Sequence, residues 1–266
     1  MKDLISINQS VRESCREVAR FIGNESKNFS KDKIEHKGLN DLVSYVDKEA
    51  ERSLVEACRK ILPEAGFITE EGTDNTRREA YNWIIDPLDG TTNFTHGLPV
   101  FSISVGLMHY DEIVAGVVHE VNRDECFHAV KDQQAYCNDE VISVSPVEDL
   151  QDSLLATGFP YYNFDQMNEY LKVLNTFMHK THGLRRMGSA AVDLAYVACG
   201  RFEGFFEYNL NAWDVAAGAF IVQQAGGKVT TFNGGKEAIF GRQIVAAGPV
   251  HPQMLQTIQE FWGKSN

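Results

Sequence analysis

No run in this 266-residue chain approaches the roughly 18 apolar residues that a membrane-spanning helix needs. Positive charge is scarce: 25 Lys and Arg stand against 37 Asp and Glu, a net charge of −12. That balance argues against a non-specific nucleic-acid binder, which is normally basic, and against docking on an anionic membrane surface. A phosphorylated substrate would therefore have to be met by local cations, either metal ions or a few arginines. Cysteine is sparse and shows no pattern. Cys15, Cys58, Cys126, Cys137 and Cys199 are scattered, odd in number and without C-x-x-C spacing, which argues against a disulfide framework or zinc site and predicts reduced thiols in a cytosolic protein. The first residues lack the long apolar segment of a signal peptide, so a cytoplasmic location is expected and the sequons at Asn24 and Asn93 are read as chance matches. Repeats and low-complexity tracts are absent. The histidines occur as singletons, and His119-Glu120 lacks the second histidine of a zinc-protease motif. The glycine-rich turns near 226 and 234 lack the G-x-G-x-x-G context of a dinucleotide site.

What is present is an ordinary globular composition, 43% hydrophobic and 23% charged, of a length that allows one large domain or two smaller ones. Apolar residues at Leu4, Ile5, Val11, Cys15, Val18, Ala19 and Ile22 keep a helical period over 3–23, which is expected to end at Gly23. Residues 24–38 are polar and lysine-rich and read as a loop. A second helix is expected over about 47–61, with Asp47 as N-cap or first-turn acid and Pro63 beyond its end. Gly66 to Thr69 reads as a short strand. Residues 81–86, with Trp83, Ile84 and Ile85 consecutive, read as a strand buried on both faces. The stretches 100–109, 113–120 and 125–130 are β-branched and aromatic and predict an antiparallel meander.

A boundary is expected near 140–155, dividing an N-terminal α+β domain (1–145) from a C-terminal α/β domain (146–266). Beyond it, strands near 153–157, 182–187, 203–207, 227–232 and 243–247 alternate with helices near 165–179, 189–199 and 213–226, and a last helix begins near 251. That alternation predicts an α/β layer architecture.

The most informative stretch is Asp86-Pro87-Leu88-Asp89-Gly90-Thr91-Thr92-Asn93-Phe94. An apolar strand ends there in two carboxylates, a stiff proline and a glycine that permits a tight turn. Two acids three residues apart suit a hard cation with oxygen ligands, while the following hydroxyls and amides suit an anion. Taken locally, the same residues also serve to close a loop. Other acids stand out as well, each with a plain alternative: Glu70-Glu71 as a solvated pair, and Asp47 and Asp214 as acids that simply favour a helix start. Trp213, beside a buried helix, reads as core rather than as a substrate-stacking residue. Arg185-Arg186 reads equally as a contact to a phosphate or a second subunit and as a solvated or salt-bridged pair.

Taken together, the motifs decide between these readings. The chain resembles the inositol monophosphatase family of metal-dependent, lithium-sensitive phosphatases, whose signature is a Glu-Glu pair, then Asp-Pro-Ile/Leu-Asp-Gly-Thr-x-Asn-Phe, then a distant Trp-Asp-x-Ala-Ala-Gly. Here these are Glu70-Glu71, residues 86–94, and Trp213 to Gly218, in that order. The likeness continues through Thr95 to Phe101, Gly188 to Ala195 and Ala225 to Gly227. Two departures, Thr69 where a glycine often stands and Ser44 for a usual threonine, lie outside the ligating groups.

The resemblance implies a layered α-β-α-β-α sandwich with its site between the two halves. It implies two or three Mg²⁺ ions held by Glu70, Asp86, Asp89, Asp214 and the backbone carbonyl of Leu88. Gly90 and Thr91 would meet the phosphate, Asp47 and Thr91, with Glu70, would serve the attack of a metal-activated water, and Ala190 and Glu207, beside Asp89 and Asp214, would contact the substrate. The implied reaction is hydrolysis of myo-inositol monophosphate or a similar sugar or polyol phosphate. Adenosine 3′(2′),5′-bisphosphate, fructose 1,6-bisphosphate and a regulatory protein-binding role stand as alternatives. A homodimer is implied too, with no direct nucleic-acid contact.

Overall fold

The computed structural model describes residues 3–29, 34–38, 41–160 and 164–263. Helices α1 (Leu4–Ser26) and α2 (Tyr45–Ile61) each bury a single stripe, which for α2 includes Val46, Ala50, Leu54, Val55 and Cys58. They cover one face of a seven-stranded sheet made of β3 (Gly66–Thr69), β4 (Tyr81–Asp89), β5 (Ser102–His109), β6 (Glu112–Glu120), β7 (Glu125–Val130), β8 (Ala135–Cys137) and β9 (Glu140–Ile142), ordered as in the sequence. The meander over β5, β6 and β7 is antiparallel, as expected.

On the other face lie α5 (Ala190–Ala198) and α6 (Ala212–Gln224). Every residue of α5 is buried, and α6 buries the run Val215 to Val222. Helices apolar all round belong between two layers rather than at a surface. The second layer is a five-stranded sheet in the order β11 (Gly183–Arg185), β10 (Leu154–Thr157), β12 (Gly204–Tyr208), β14 (Gln243–Ala247), β13 (Lys228–Thr230). Within it β10 runs parallel to β11 and β12, while β14 is antiparallel to β12 and β13. Outermost are α4 (Met167–Lys180) and α7 (His251–Gln259). The architecture is the expected α-β-α-β-α stack. No described helix is long and apolar enough to cross a membrane.

Side-chain parity along the strands aims the acids. In β4, Trp83 and Ile85 enter the core under α1 and α2, whereas Ile84 enters the core shared with α5 and α6. Each of these fully buried side chains stabilises the fold by about 1.5–3 kcal/mol, so the strand is firmly anchored. Asp86 has the parity of Ile84 and faces the middle layer. In β12, Phe206 packs outward and Phe205 inward, so Glu207 also faces the middle layer.

Two local expectations are corrected. Gly23 does not stop α1, which runs to Ser26. Ile22 beside it is fully buried, and the Tyr45 hydroxyl of α2 hydrogen-bonds Glu25, so tertiary contacts hold the extra turn. The loop expected over 24–38 contains a strand, β1 (Ile34–Gly38), paired antiparallel with β2 (Asp41–Ser44); residues 30–33 lie outside the described residues. The short helix α3 (Thr91–His96) and strands β8 and β9 also escaped the sequence reading.

Candidate active site

Strand β4 does not stop at Asp86 but continues to Asp89 through a bulge. Asp86 pairs with Ser104 and Asp89 with Ser102, so Pro87 and Leu88 oppose the single residue Ile103. A bulge re-aims the chain and tolerates a proline that has no N–H to give the ladder. The Leu88 amide donates instead to Asp86 Oδ1 at 3.0 Å. Gly90 then turns the chain into α3 with φ 98° and ψ 33°. A β-carbon there would be strained by that backbone and would stand 3.1 Å from the Val100 carbonyl and 3.2 Å from that of Gly188.

At the start of α3, the Thr91 hydroxyl donates to Asp47 Oδ1 at 2.9 Å. Asp47 occupies the third position of α2, and its Oδ2 accepts from the Ser44 amide at 2.8 Å and hydroxyl at 2.6 Å, while Ser44 Oγ accepts from Val46 N. This reciprocal capping box holds Asp47 fully buried. Burial raises its carboxyl above the ordinary range, opposed by the Ser44 and Thr91 hydrogen bonds. Glu70 follows β3, its amide donating to the Ile85 carbonyl. The turn after it is held by buried Glu51, which accepts from the amides of Glu71 and Thr73, both at 2.7 Å.

The second half of the chain closes the opposite wall. Asp89 Oδ2 accepts from Ser189 Oγ at 2.6 Å and from the Ala191 amide at 2.7 Å, at the start of α5. Its carboxyl rises to about 6 because burial outweighs these bonds and the Arg186 charge. Asp214 accepts from the Asn211 amide at 2.6 Å and rises to about 7, through burial and then the Asp89 charge. Asp86 lies well above the ordinary carboxylate range through burial, the charges of Glu70, Asp89 and Asp214, and a hydrogen bond with Glu70. Glu207 is buried and likewise raised, with Arg186 opposing.

These walls enclose a cavity of about 340 Å³ lined by Glu70, Asp86, Leu88, Asp89, Gly90, Thr91, Ala190, Glu207 and Asp214. Nine of the ten residues expected at the site thus share one cavity; Asp47 stands behind Thr91. Trp213 also lines it while packing against the central core. Arg186 lines it and reaches over the Phe159 ring at 6.0 Å, whereas Arg185 turns to the Leu184 carbonyl. Gly158, Phe159 and Pro160 form part of the rim; Tyr161 and Tyr162 lie outside the described residues. Glu51, Ser189 and Asp193 carry no role in the expectations drawn from the sequence. A signal existed for two of them: Ser189 stands where α5 needs a cap, and Asp193 is the single acid of an otherwise apolar helix.

Four carboxylates and a main-chain carbonyl offer the oxygen donors that a hard divalent cation takes. Among the described residues no three His, Cys, Asp or Glu side chains form a closed ligand cluster. The acids line a shared wall instead, where like charges oppose one another until a cation neutralises them. The donor set fits such an ion.

The sequence model of the inositol monophosphatase family matches residues 5–263. A protein described as a putative Nus factor SuhB in Neisseria meningitidis is 42% identical over 247 residues, 92% of this chain and 95% of that one. An inositol-1-monophosphatase of Rhizobium meliloti is 42% identical over 238 residues, covering 89% and 88%. Among solved structures, the extragenic suppressor protein suhB of Bartonella henselae aligns with a TM-score of 0.90 at 35% identity, covering 96% of this chain and 99% of that one. Members of the matched family are generally metal-dependent. The chain belongs to the inositol monophosphatase family and is a phosphatase.

Proposed function

We propose that this phosphatase hydrolyses myo-inositol monophosphate or a similar polyol phosphate with Mg²⁺ as cofactor. The observation that carries this reading is the gathering of Glu70, Asp86, Leu88, Asp89 and Asp214 on one cavity with Gly90, Thr91 and Glu207. Glu70, Asp86, Asp89, Asp214 and the Leu88 carbonyl would hold the cations. When bound, such ions neutralise phosphoryl oxygens, lower the pKa of water and stabilise the departing alkoxide.

The chain's own groups supply the rest. Thr91 gives its hydroxyl proton to Asp47, which leaves the oxygen lone pairs to accept from a water in the cavity. Asp47 is the base at the end of that relay: as the water oxygen bonds to phosphorus, its proton passes through Thr91 to Asp47. The ester P–O bond breaks on the far side, and the alcohol leaves with a proton from solvent. Gly90 and Thr91, at a helix start, would bring backbone N–H groups to the phosphate. Ala190 and Glu207 would face the alcohol, with Glu207 accepting a hydroxyl. A homodimer and lithium sensitivity belong to the same reading through family membership.

The test is phosphate release from a panel of inositol phosphates, sugar phosphates and adenosine 3′,5′-bisphosphate, with Mg²⁺, with chelator and with lithium. We expect preference for inositol monophosphates, loss in chelator and inhibition by lithium. Release undiminished in chelator overturns the metal chemistry; preference for the nucleotide or for fructose 1,6-bisphosphate reassigns the substrate. A second reading, partner binding in regulation, draws on relatives described as Nus factors. An Asp89→Asn chain that lacks phosphatase activity yet rescues a deletion strain would favour it.

A further inference from the structure

Asp193 has no part in the reaction as derived above, yet it is placed as a ligand-binding group. It sits in the first turns of α5, where the other eight residues are Ala, Val, Leu and Tyr, all buried. Asp193 is itself 1% exposed, and it lines the active-site cavity together with Ala190 and Glu207. Its Oδ1 is buried without a hydrogen-bond partner. An unsatisfied buried acceptor is expensive, and buried polar atoms are nearly always paired. An alanine or leucine at this point would suit a helix packed between two sheets better. The helix cap does not need the acid, because Ser189 Oγ already accepts from the Val192 amide.

Asp193 shares its electrostatic surroundings first of all with Glu207. The groups whose charges act on its carboxyl are Glu207, Asp89 and Arg186, so it belongs to the wall of Glu207. Glu207 and Asp193 therefore bring two carboxyl groups, one from β12 and one from α5, to the same cavity. Arg186 is the guanidinium that offsets their charge. Neither acid suits the phosphate itself, which both would repel. Hydroxyl groups, which donate, suit both.

We propose that Asp193 is a specificity-determining residue whose free Oδ1 accepts a hydrogen bond from a second hydroxyl of the alcohol, beside the one accepted by Glu207. This deepens the polyol-phosphatase reading, on which it rests. The alcohol is then a polyol carrying at least two free hydroxyls on one face, and phosphates of simple or aromatic alcohols lose that contact. Sites built around a substrate hydroxyl discriminate strongly against analogues lacking it, because the site's own polar group is left unpaired.

The experiment compares the full chain with Asp193→Ala and Asp193→Asn on myo-inositol 1-phosphate and on para-nitrophenyl phosphate, whose leaving group has no spare hydroxyl. Leaving that substrate hydroxyl unpaired in the cavity should raise KM for the inositol ester roughly 10- to 100-fold in Asp193→Ala, with kcat little changed. Asp193→Asn, whose amide oxygen still accepts, should fall between, and para-nitrophenyl phosphate should be handled alike by all three. Thermal midpoints should stay level or rise, since an unpaired buried acid has been removed. A direct readout uses myo-inositol alone as the probe: it should raise the midpoint of the original chain but not of Asp193→Ala, while inorganic phosphate with Mg²⁺ should stabilise both equally. Equal loss on both esters with a lowered midpoint would make Asp193 a structural acid. Unchanged KM and undiminished stabilisation by myo-inositol would leave its oxygen to water, and the assignment falls. Absence of phosphate release from every ester by the original chain defeats the polyol-phosphatase reading instead, while the myo-inositol measurement still decides on Asp193.

Discussion

Helices α2 and α6 begin alike and end up in different electrostatic circumstances. Each carries an aspartate at its third position, Asp47 and Asp214, that accepts from the backbone N–H of the capping residue, Ser44 or Asn211. At α2 the Ser44 hydroxyl joins in and Thr91 adds another donor, so Asp47 is enclosed by hydrogen bonds. At α6 the Asn211 side chain is engaged by Arg242, and Asp214 faces the cavity and the charge of Asp89. One local motif thus meets two settings, hydrogen-bond donors around Asp47 and the opposed charges of Asp89 and Arg242 around Asp214, and the roles proposed for the two acids rest on that difference.

The sharpest test of that contrast removes each charge in turn. Asp214→Asn should lower turnover about 10³-fold, several kcal/mol of transition-state stabilisation, and abolish the rise in thermal midpoint that Mg²⁺ produces. Asp47→Asn should lower turnover about 10²-fold, the scale of a lost general base, yet keep the Mg²⁺-induced rise. Loss of the rise in both variants would erase the distinction between the two helix starts.

A smaller effect is expected at Ser189, which supports a cavity acid from outside. Ser189→Ala removes a donor to Asp89 and the cap of α5. Mg²⁺ affinity should fall about 10- to 100-fold, as for other groups that orient ligands, and stability by about 1 kcal/mol. Titrating activity against Mg²⁺ reads the first and thermal unfolding the second; an unchanged Mg²⁺ requirement would detach Asp89 from the metal.

The smallest effect is one of pH. The folded carboxyls of Asp89 and Asp214 rise to about 6 and about 7 from an ordinary 3.8. Between those limits the folded chain holds protons that the unfolded chain has released, so their contribution favours folding at low pH and is lost as pH climbs toward 7. In chelator, raising pH from 5.5 to 8 should therefore lower the thermal midpoint relative to an Asp89→Asn, Asp214→Asn double variant. Saturating Mg²⁺ should stabilise more at pH 8 than at pH 5.5. Equal stabilisation at the two values would mean that the cation does not replace protons on these acids.

Much of this was legible in the chain because its signals are local. The 3.6 period of α1, the acid Asp47 at the start of α2 and the β-branched and aromatic runs of the meander each depend on neighbours within a few residues. Where the reading failed, distant contacts had intervened. Gly23 reads as a stop, yet the packing of Ile22 and the bond between Tyr45 and Glu25 carry α1 onward. The strand of β4 reads as ending at Asp86, yet pairing with β5 draws it through a bulge to Asp89. Ser189 caps α5, but its bond to a carboxylate 100 residues away could not be read from spacing.

By itself the sequence determined which groups are available: an acidic chain with two largely apolar helices, a strand ending in Asp86-Pro87-Leu88-Asp89, and capped helices that each carry an aspartate. Only the tertiary structure decided which of those groups meet. Stacking α5 and α6 between two sheets brings Asp89, Ser189, Glu207 and Asp214 to one cavity and leaves Asp193 facing it with an unpaired oxygen. The physical reason is range. Caps and periodicities are set by bonds within a turn or two, whereas the charge, burial and free acceptors of a site are set by whatever the packing of distant layers leaves beside them.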